Sequence, residues 1–349
     1  MFNKSKIKFL PLSERESKTS INAIIDPNAN YKLSEFNEDD SMAIEKLANE
    51  IKKAKQNNQQ VILACGAHLI KNGLSLVIQE LIEKKYITHL ATNGATLIHD
   101  WEFAYQGKTE EDVRKYLTEG QFGLWEETGR YQNLAIIAGA GKNKGYGESL
   151  AEMVATDKII IPERDKLSET ARKKLDELSI KMPSEILINH PHKKYSVLNA
   201  AYKSHFNLTI HPHFGHDIIY THPLNDGASL GKAAEIDFLK YVDSISHLQG
   251  GIYLSIGSAI MSPQIFEKAL SMARNVANQE ERKIDDFMIV VNDVQEGKWD
   301  FKEGKEPSKN NPAYYLRFNK TFARAGARDM QYFQADNRDF LLALYNFLK

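Results

Sequence analysis

The chain has 349 residues, 42% of them apolar, with 45 Lys+Arg against 46 Asp+Glu and a formal net charge of −1. That length suits one large α/β domain or two ordinary ones with a sizeable core. The near-neutral balance lacks the electrostatic footprint of a nucleic-acid binder, no run approaches the roughly 18 apolar residues of a membrane span, and a lone cysteine, Cys65, excludes an internal disulfide or a cysteine-based zinc site. The start, MFNKSKIKFLPLSERESK, carries too short an apolar patch for a signal-peptide core, so a soluble cytoplasmic protein is expected.

Residues 1–38 are polar and weakly patterned and are expected to form an extension, with 39–349 as a single domain. From 40, DDSMAIEKLANEIKKAKQ spaces its apolar residues for a helix behind an acidic start. QVILACGAH reads as a buried strand ending in small residues, GLSLVIQELIEKK as a helix, and ITHLATNGAT as a second strand. TEEDVRKYLTEG reads as a helix capped by Thr109. The stretch from about 124 to 204 is mostly helical around one strand, ATDKIIIP. Alternation then returns: strand FNLTIHP, helix GASLGKAAEIDFLKYVDSI, strand GGIYLSIGS, helix PQIFEKALSMARNVANQ, strand DFMIVVND. Residues 296–311 form a charged surface loop, AYYLRFNK an edge strand, and ADNRDFLLALYNFLK a terminal helix.

Alternation with continuous apolar strands predicts an α/β doubly wound, mainly parallel sheet with helices on both faces. Ligands of such sheets bind outside the carboxyl ends of the strands. Four strand ends here, ACGAHLIKNG, ATNGATLIHD, IGSAIMS and VVNDV, carry Gly, Ala, Ser or Asn where the strand stops. Small residues let backbone amides approach a phosphate or ribose, and a following helix N-terminus favours an anion. Neither GxGxxG nor GxxxxGK(S/T) occurs.

At these strand ends the chain resembles the deoxyhypusine synthase family, whose members are NAD-dependent enzymes of a Rossmann-like fold. GAHLIKNG (66–73), ATNGAT (91–96), NDGASLGK (225–232), SIGSAIM (255–261), DFMIVVNDV (286–294) and FQADNRDFLLAL (333–344) echo family segments in the family's order over roughly 60–349. The resemblance implies NAD contacts at Ala67, His68, Thr92, Asn93, Gly94, Asp226, Gly257, Ser258, Asn292, Asp293, Ala335 and Asp336, and a homotetramer. It departs from the family where polyamine chemistry would lie. Tyr332 falls near the place of the imine-forming lysine, Lys232 replaces a carboxylate that grips an ammonium, and the family's histidine falls near Ser262 or Pro263. A cation there repels the substrate an anion would hold. The expectation is therefore an NAD-dependent transferase or oxidoreductase acting on an amine or other small polar metabolite, and not a working deoxyhypusine synthase.

The stretch HPHFGHDIIYTHPLNDGASLGK (211–232) lies in the most histidine-rich part of the chain. It admits three readings: a metal site of His211, His213, His216 and Asp217; a strand end with satisfied histidines, including His205; or a cofactor-side turn in which Asp226 accepts from a ribose hydroxyl and His222 stands beside the reacting centre. In LIHDWE, His99 and Asp100 form a candidate proton-transfer pair, against the alternative that they only start and pack a helix. Lys71, Lys232 and Lys320 read as solvated or phosphate-facing charges, and FARAGARD (322–329) as a surface loop or an anion clamp. A nucleotide-binding regulator without turnover and a metal-dependent hydrolase are the competing functions.

Overall fold

The computed structural model describes residues 2–29, 36–297, 299 and 306–349. The strands among them are β1 (Ser17–Ser20), β2 (Val61–Cys65), β3 (His89–Thr92), β4 (Lys108–Glu111), β5 (Lys158–Ile161), β6 (Ser184–Leu187), β7 (Asn207–Ile210), β8 (Ile252–Ile256), β9 (Met288–Asp293) and β10 (Asp329–Gln334). The chain divides into two compact units: Met1–Ile24 with Asn93–Phe238, and Ile25–Thr92 with Leu239–Lys349. That division differs from the expected arm at 1–38 and single domain at 39–349.

The second unit is α/β and doubly wound. Its strands run parallel in the order β10-β9-β8-β2-β3. From β2 the chain steps outward to β3, then returns to the other side of β2 with β8 and continues to β9 and β10. The reversal of direction therefore lies between β2 and β8, the switch point where such sheets bind ligands. All residues of β2, β8 and β9 are buried, which is why they read as unbroken apolar runs. Helix Glu38–Gln56 starts at Asn37, whose side chain accepts from the Asp40 amide at 2.8 Å, behind three acidic residues in its first turn. It buries Ile44, Leu47, Ala48, Ile51 and Ala54, one face at helical spacing. Phe266, on helix Met261–Gln279, packs against the rings of Tyr253 at 4.4 Å and Phe322 at 5.5 Å.

AYYLRFNK is not an edge strand. Asn311 accepts from the Ala313 amide at 2.9 Å with Pro312 at the first helical position, and a helical turn leads into helix Arg317–Phe322. Phe318 and Phe322, one turn apart on that helix, are both buried. The sheet edge is β10 instead. Residues 298 and 300–305 of the expected charged loop lie outside the described residues, as do 30–35.

The first unit is mainly helical, with antiparallel pairs β1–β4 and β5–β6 and the strand β7. Its amino-terminal segment is no free extension. Arg15 is buried and makes a two-pronged ion pair with the fully buried Glu102, at 2.8 and 2.7 Å. Thr109 does not cap a helix: it lies in β4, and its hydroxyl donates to Glu102 at 2.6 Å. The cap of the following helix, Val113–Thr118, is Asp112, which accepts from the Lys115 amide at 3.0 Å.

Candidate functional site

The switch point of the second unit is built by close backbone approach. Gly66 follows β2 and Gly257 follows β8. A Cβ on Gly66 would stand 2.4 Å from the Gly257 carbonyl oxygen, so only glycine fits. Gly257 has φ +58° and its amide donates to the Asn292 carbonyl at 2.9 Å. Asn292, the last residue but one of the neighbouring strand β9, is wholly buried. Its Nδ2 donates to Asn337 Oδ1 at 2.7 Å and to the Ala335 carbonyl at 3.3 Å, while its Oδ1 has no partner. Buried acceptors are normally paired, so an orphan at a strand end points to a missing donor.

The expected cofactor residues of this unit gather at the carboxyl ends of its strands, in different states. Ala335 donates to the Asp293 carbonyl at 3.2 Å, and Asp293 Oδ1 accepts from the Gln295 amide at 3.1 Å. Ser258 is buried and accepts from the Ser262 amide at 3.2 Å. Asp336 caps the terminal helix Asn337–Leu348 by accepting from Arg338 at 2.8 Å. Ala67 precedes the short helix His68–Lys71, with His68 exposed. Thr92 is buried and donates to the Cys65 carbonyl at 2.8 Å. Cys65 is a wholly buried core residue, and that burial pushes its thiol up to about 12.

In the first unit, Asn93 caps helix Gly94–Gln106, accepting from the Thr96 amide at 3.1 Å and its hydroxyl at 2.9 Å. Asp217 lies over the first turn of that helix: a Cβ on Gly94 would stand 2.4 Å from its Oδ2, and its carboxylate accepts from the Ala95 amide. Asp226, expected to take a ribose hydroxyl, caps helix Gly227–Ser246. It accepts from the Ser229 amide at 2.9 Å, the Ser229 hydroxyl at 2.6 Å, the Ser168 hydroxyl at 2.8 Å and the Thr170 hydroxyl. The donors it meets hold its pKa below the ordinary value against its burial.

His99 and Asp100 sit mid-helix and look to different partners. His99 Nδ1 meets the Thr109 hydroxyl at 2.8 Å. Asp100 caps helix Val197–Lys203, accepting from Val197 N at 2.8 Å, Ser196 Oγ at 2.5 Å and Leu198 N at 3.1 Å. Burial pushes this carboxyl up to about 6. The pair expected for proton transfer is thus divided between two structural tasks, because consecutive helical side chains point about 100° apart.

His222 does meet a carboxylate, one unforeseen from the sequence. Its Nδ1 accepts from the Leu224 amide at 3.2 Å, which leaves the proton on Nε2, 3.3 Å from Glu126. The hydrogen bond from His222 lowers the Glu126 pKa. Glu126 lies 96 residues away in sequence, so no local pattern pairs the two.

The histidine-rich stretch does not converge. His211 Nε2 meets Thr209 Oγ1 at 3.0 Å, His213 and His216 stack edge-on at 5.1 Å, and among the described residues no group of three or more His, Cys, Asp or Glu is placed to hold a metal ion. Of the expected lysines, Lys232 is exposed and Lys320 donates to the Tyr314 hydroxyl at 2.8 Å. Tyr332, at the expected place of the imine lysine, stacks on Phe318 at 5.5 Å and donates to the Gln295 carbonyl. Arg328 of FARAGARD is tied to Glu50 and Asp286, and Arg324 to Glu306.

The sequence matches no family model and no curated protein. Similar solved structures include a putative LOR/SDH protein from Methanococcus maripaludis S2, at 12% identity and TM-score 0.45, covering 93% of this chain and 73% of that one. ArgZ, a cyanobacterial arginine dihydrolase, has 13% identity and TM-score 0.45 over 88% of this chain and 33% of its own. AgrE, in a ternary complex with ornithine and NAD+, has 13% identity and TM-score 0.46 over 91% and 34%. The chain spans about a third of the length of ArgZ and AgrE. Likeness at this level carries no inference about function.

Proposed function

We propose that the second unit binds NAD at its switch point and that the chain is an NAD-dependent transferase or oxidoreductase of the deoxyhypusine-synthase-like type, acting on an amine or small polar metabolite. The observation that carries this reading is the cradle of Gly66, Gly257 and Asn292. Two strand ends approach so closely that side chains are excluded, and a buried amide oxygen beside them lacks a donor. These residues fit a nucleotide, with Gly66, Gly257 and Ser258 giving close backbone approach and Asn292 an acceptor. Bound NAD would supply hydride acceptance. Of the chain's own groups, His222 holds a proton at Nε2 and Glu126 orients it, an arrangement suited to proton transfer. The reading includes a cytoplasmic homo-oligomer and no polyamine transfer, since Tyr332 and Lys232 replace the lysine and carboxylate that such transfer needs.

Calorimetry with NAD tests the cofactor. Wild type is expected to bind, and Asn292→Leu to bind about tenfold or more weakly through loss of hydrogen bonding at a buried site. Absence of heat with wild type up to millimolar NAD defeats the assignment. Binding with no hydride transfer across an amine panel favours the regulator reading instead. Label passing from spermidine to the hypusine-bearing translation factor would show that polyamine transfer survives.

A further inference from the structure

Helix Met261–Gln279 runs back from the strand-end cradle of the second unit, and a cavity opens beside its later turns. The cavity holds about 430 Å³, within the range of small-molecule sites, and lies between this helix and the segment Thr321–Ala325. Glu267, Ser271, Arg274 and Asn278 recur at intervals of four, three and four residues and so line it as one helical stripe. Arg274 stands about 20 Å along the helix axis from Met261, so the cavity is apart from the cradle.

Arg274 spends one edge of its half-buried guanidinium on the chain. Nε and Nη2 donate to the Ile284 carbonyl at 2.9 and 2.7 Å, and the group lies 5.9 Å from the Phe287 ring centroid. A guanidinium has five N–H donors, so both Nη1 hydrogens and the second on Nη2 remain. The neighbouring acids are engaged elsewhere: Glu267 with Arg317 at 2.8 Å and with Lys268, and Glu306 with Arg324. Asp285, which acts on Arg274 through its charge and not as an ion pair, accepts from Gln249 at 3.3 Å. Burial still holds the guanidinium below its ordinary pKa, the mark of a cation short of a counter-ion. The opposite wall comes close without a side chain between. Gly326 turns the chain at φ +67°, and a Cβ there would meet Nη2 at 3.7 Å. The polar lining adds donors. Asn275 Oδ1 already accepts from Gln279 at 3.1 Å, which leaves its amide hydrogens to give. Leu270 and Ala325 supply an apolar flank.

We propose that this cavity binds a small organic carboxylate. The Nη1–Nη2 edge of Arg274 grips the carboxylate as a two-pronged fork, Asn275 donates to it, and the carbon body lies against Leu270 and Ala325. Arg324 lines the same cavity with its charge met by Glu306, so the one charge left to neutralise is that of Arg274. A single uncompensated cation beside an apolar flank suits a monoanion that carries carbon, whereas a phosphate dianion would bring a second charge without a partner. The site shares no residue with the strand-end cradle or with the His222–Glu126 pair.

The test is calorimetry on the full chain at neutral pH, where carboxylic acids are ionised. The probes are sodium benzoate and sodium butyrate, with benzyl alcohol as the uncharged control and sodium phosphate as the competing anion. Both carboxylates are expected to bind at about millimolar strength, as suits ligands of this size, and benzyl alcohol to give no heat. Arg274→Gln should weaken them about tenfold to a hundredfold, as for loss of a charged hydrogen bond. Ser271→Trp, which fills the cavity from an exposed helix position, should abolish binding. No carboxylate binding by wild type at tens of millimolar, or equal binding by wild type and Ser271→Trp, overturns the site. Ser271→Trp leaves the bonds to the Ile284 carbonyl in place, so it decides the matter even where Arg274→Gln fails to fold. Phosphate binding more tightly than benzoate overturns the carboxylate assignment. NAD is titrated into the same samples. Loss of carboxylate binding with NAD binding intact in wild type sinks this site alone, and the converse sinks the cofactor reading alone.

Discussion

The second unit buries strands of almost wholly apolar side chains and keeps its polar groups for the strand ends, whereas the first unit buries carboxylates inside its body. Glu102, Asp100, Asp226 and Asp237 are each 2% exposed or less and held by donors brought from distant segments. Apolar strands need only pattern and length to bury themselves. A buried carboxylate needs each partner in place, because desolvation makes an unmatched charge costly. The first unit therefore depends on specific pairs, and the second on volume.

The sharpest way to break this contrast is Glu102→Ala, which leaves the Arg15 guanidinium buried without its partner. Urea denaturation should show a loss of about 3–5 kcal/mol, and a loss below about 1 kcal/mol would mean Arg15 finds water or another partner. Next is Asp226→Ala, which strips the cap from helix Gly227–Ser246 and strands the Ser168 and Thr170 hydroxyls. It should cost about 2 kcal/mol, the upper part of the range for caps. In the second unit, Ile289→Val trims one methylene from a fully buried strand. It should cost about 0.5–1.5 kcal/mol, visible as a small shift in the urea midpoint.

One residue of the second unit departs from its own rule. His89 is wholly buried in β3, with Nδ1 2.8 Å from Ser244 Oγ and its ring edge-on to Tyr241. Burial, helped by Lys240, depresses its pKa from 6.5 to about 3. The unfolded chain takes up this proton below pH 6.5 while the folded chain refuses it down to about 3. The stability it contributes is thus complete above 6.5 and lost as pH falls through that window. His89→Gln should leave stability at pH 7 little changed and flatten its decline below pH 6.5, checked by urea midpoints at several pH values. An unaltered slope would mean that other groups carry the acid response.

The contrast also accounts for what could be read from the sequence. VILAC, IYLSI and MIVVND announce themselves as strands because every residue is buried, and their order fixes the switch point once the sheet is seen to be parallel. AYYLRFNK was misleading because two aromatics four apart also satisfy a loose strand pattern, and only the packing of Phe318 and Phe322 decides. In the first unit the partner of Arg15 lies 87 residues on, and that of His222 lies 96 residues back. Such pairings leave no local trace, so residues 1–38 look like an arm and His99–Asp100 like a pair. Asp217 stands out in the sequence only as a metal-ligand candidate. Its actual setting is the first turn of helix Gly94–Gln106, against Gly94 and the Ala95 amide, which no spacing rule connects to it.

The most direct test of the central claim is hydrogen–deuterium exchange of the full chain with and without NAD, read by mass spectrometry. The account predicts slowed exchange in peptides covering Gly66–His68, Gly257–Ser258, Asn292–Asp293 and Ala335–Asp336, the carboxyl ends of β2, β8, β9 and β10. Unchanged exchange in all four at millimolar NAD would contradict it.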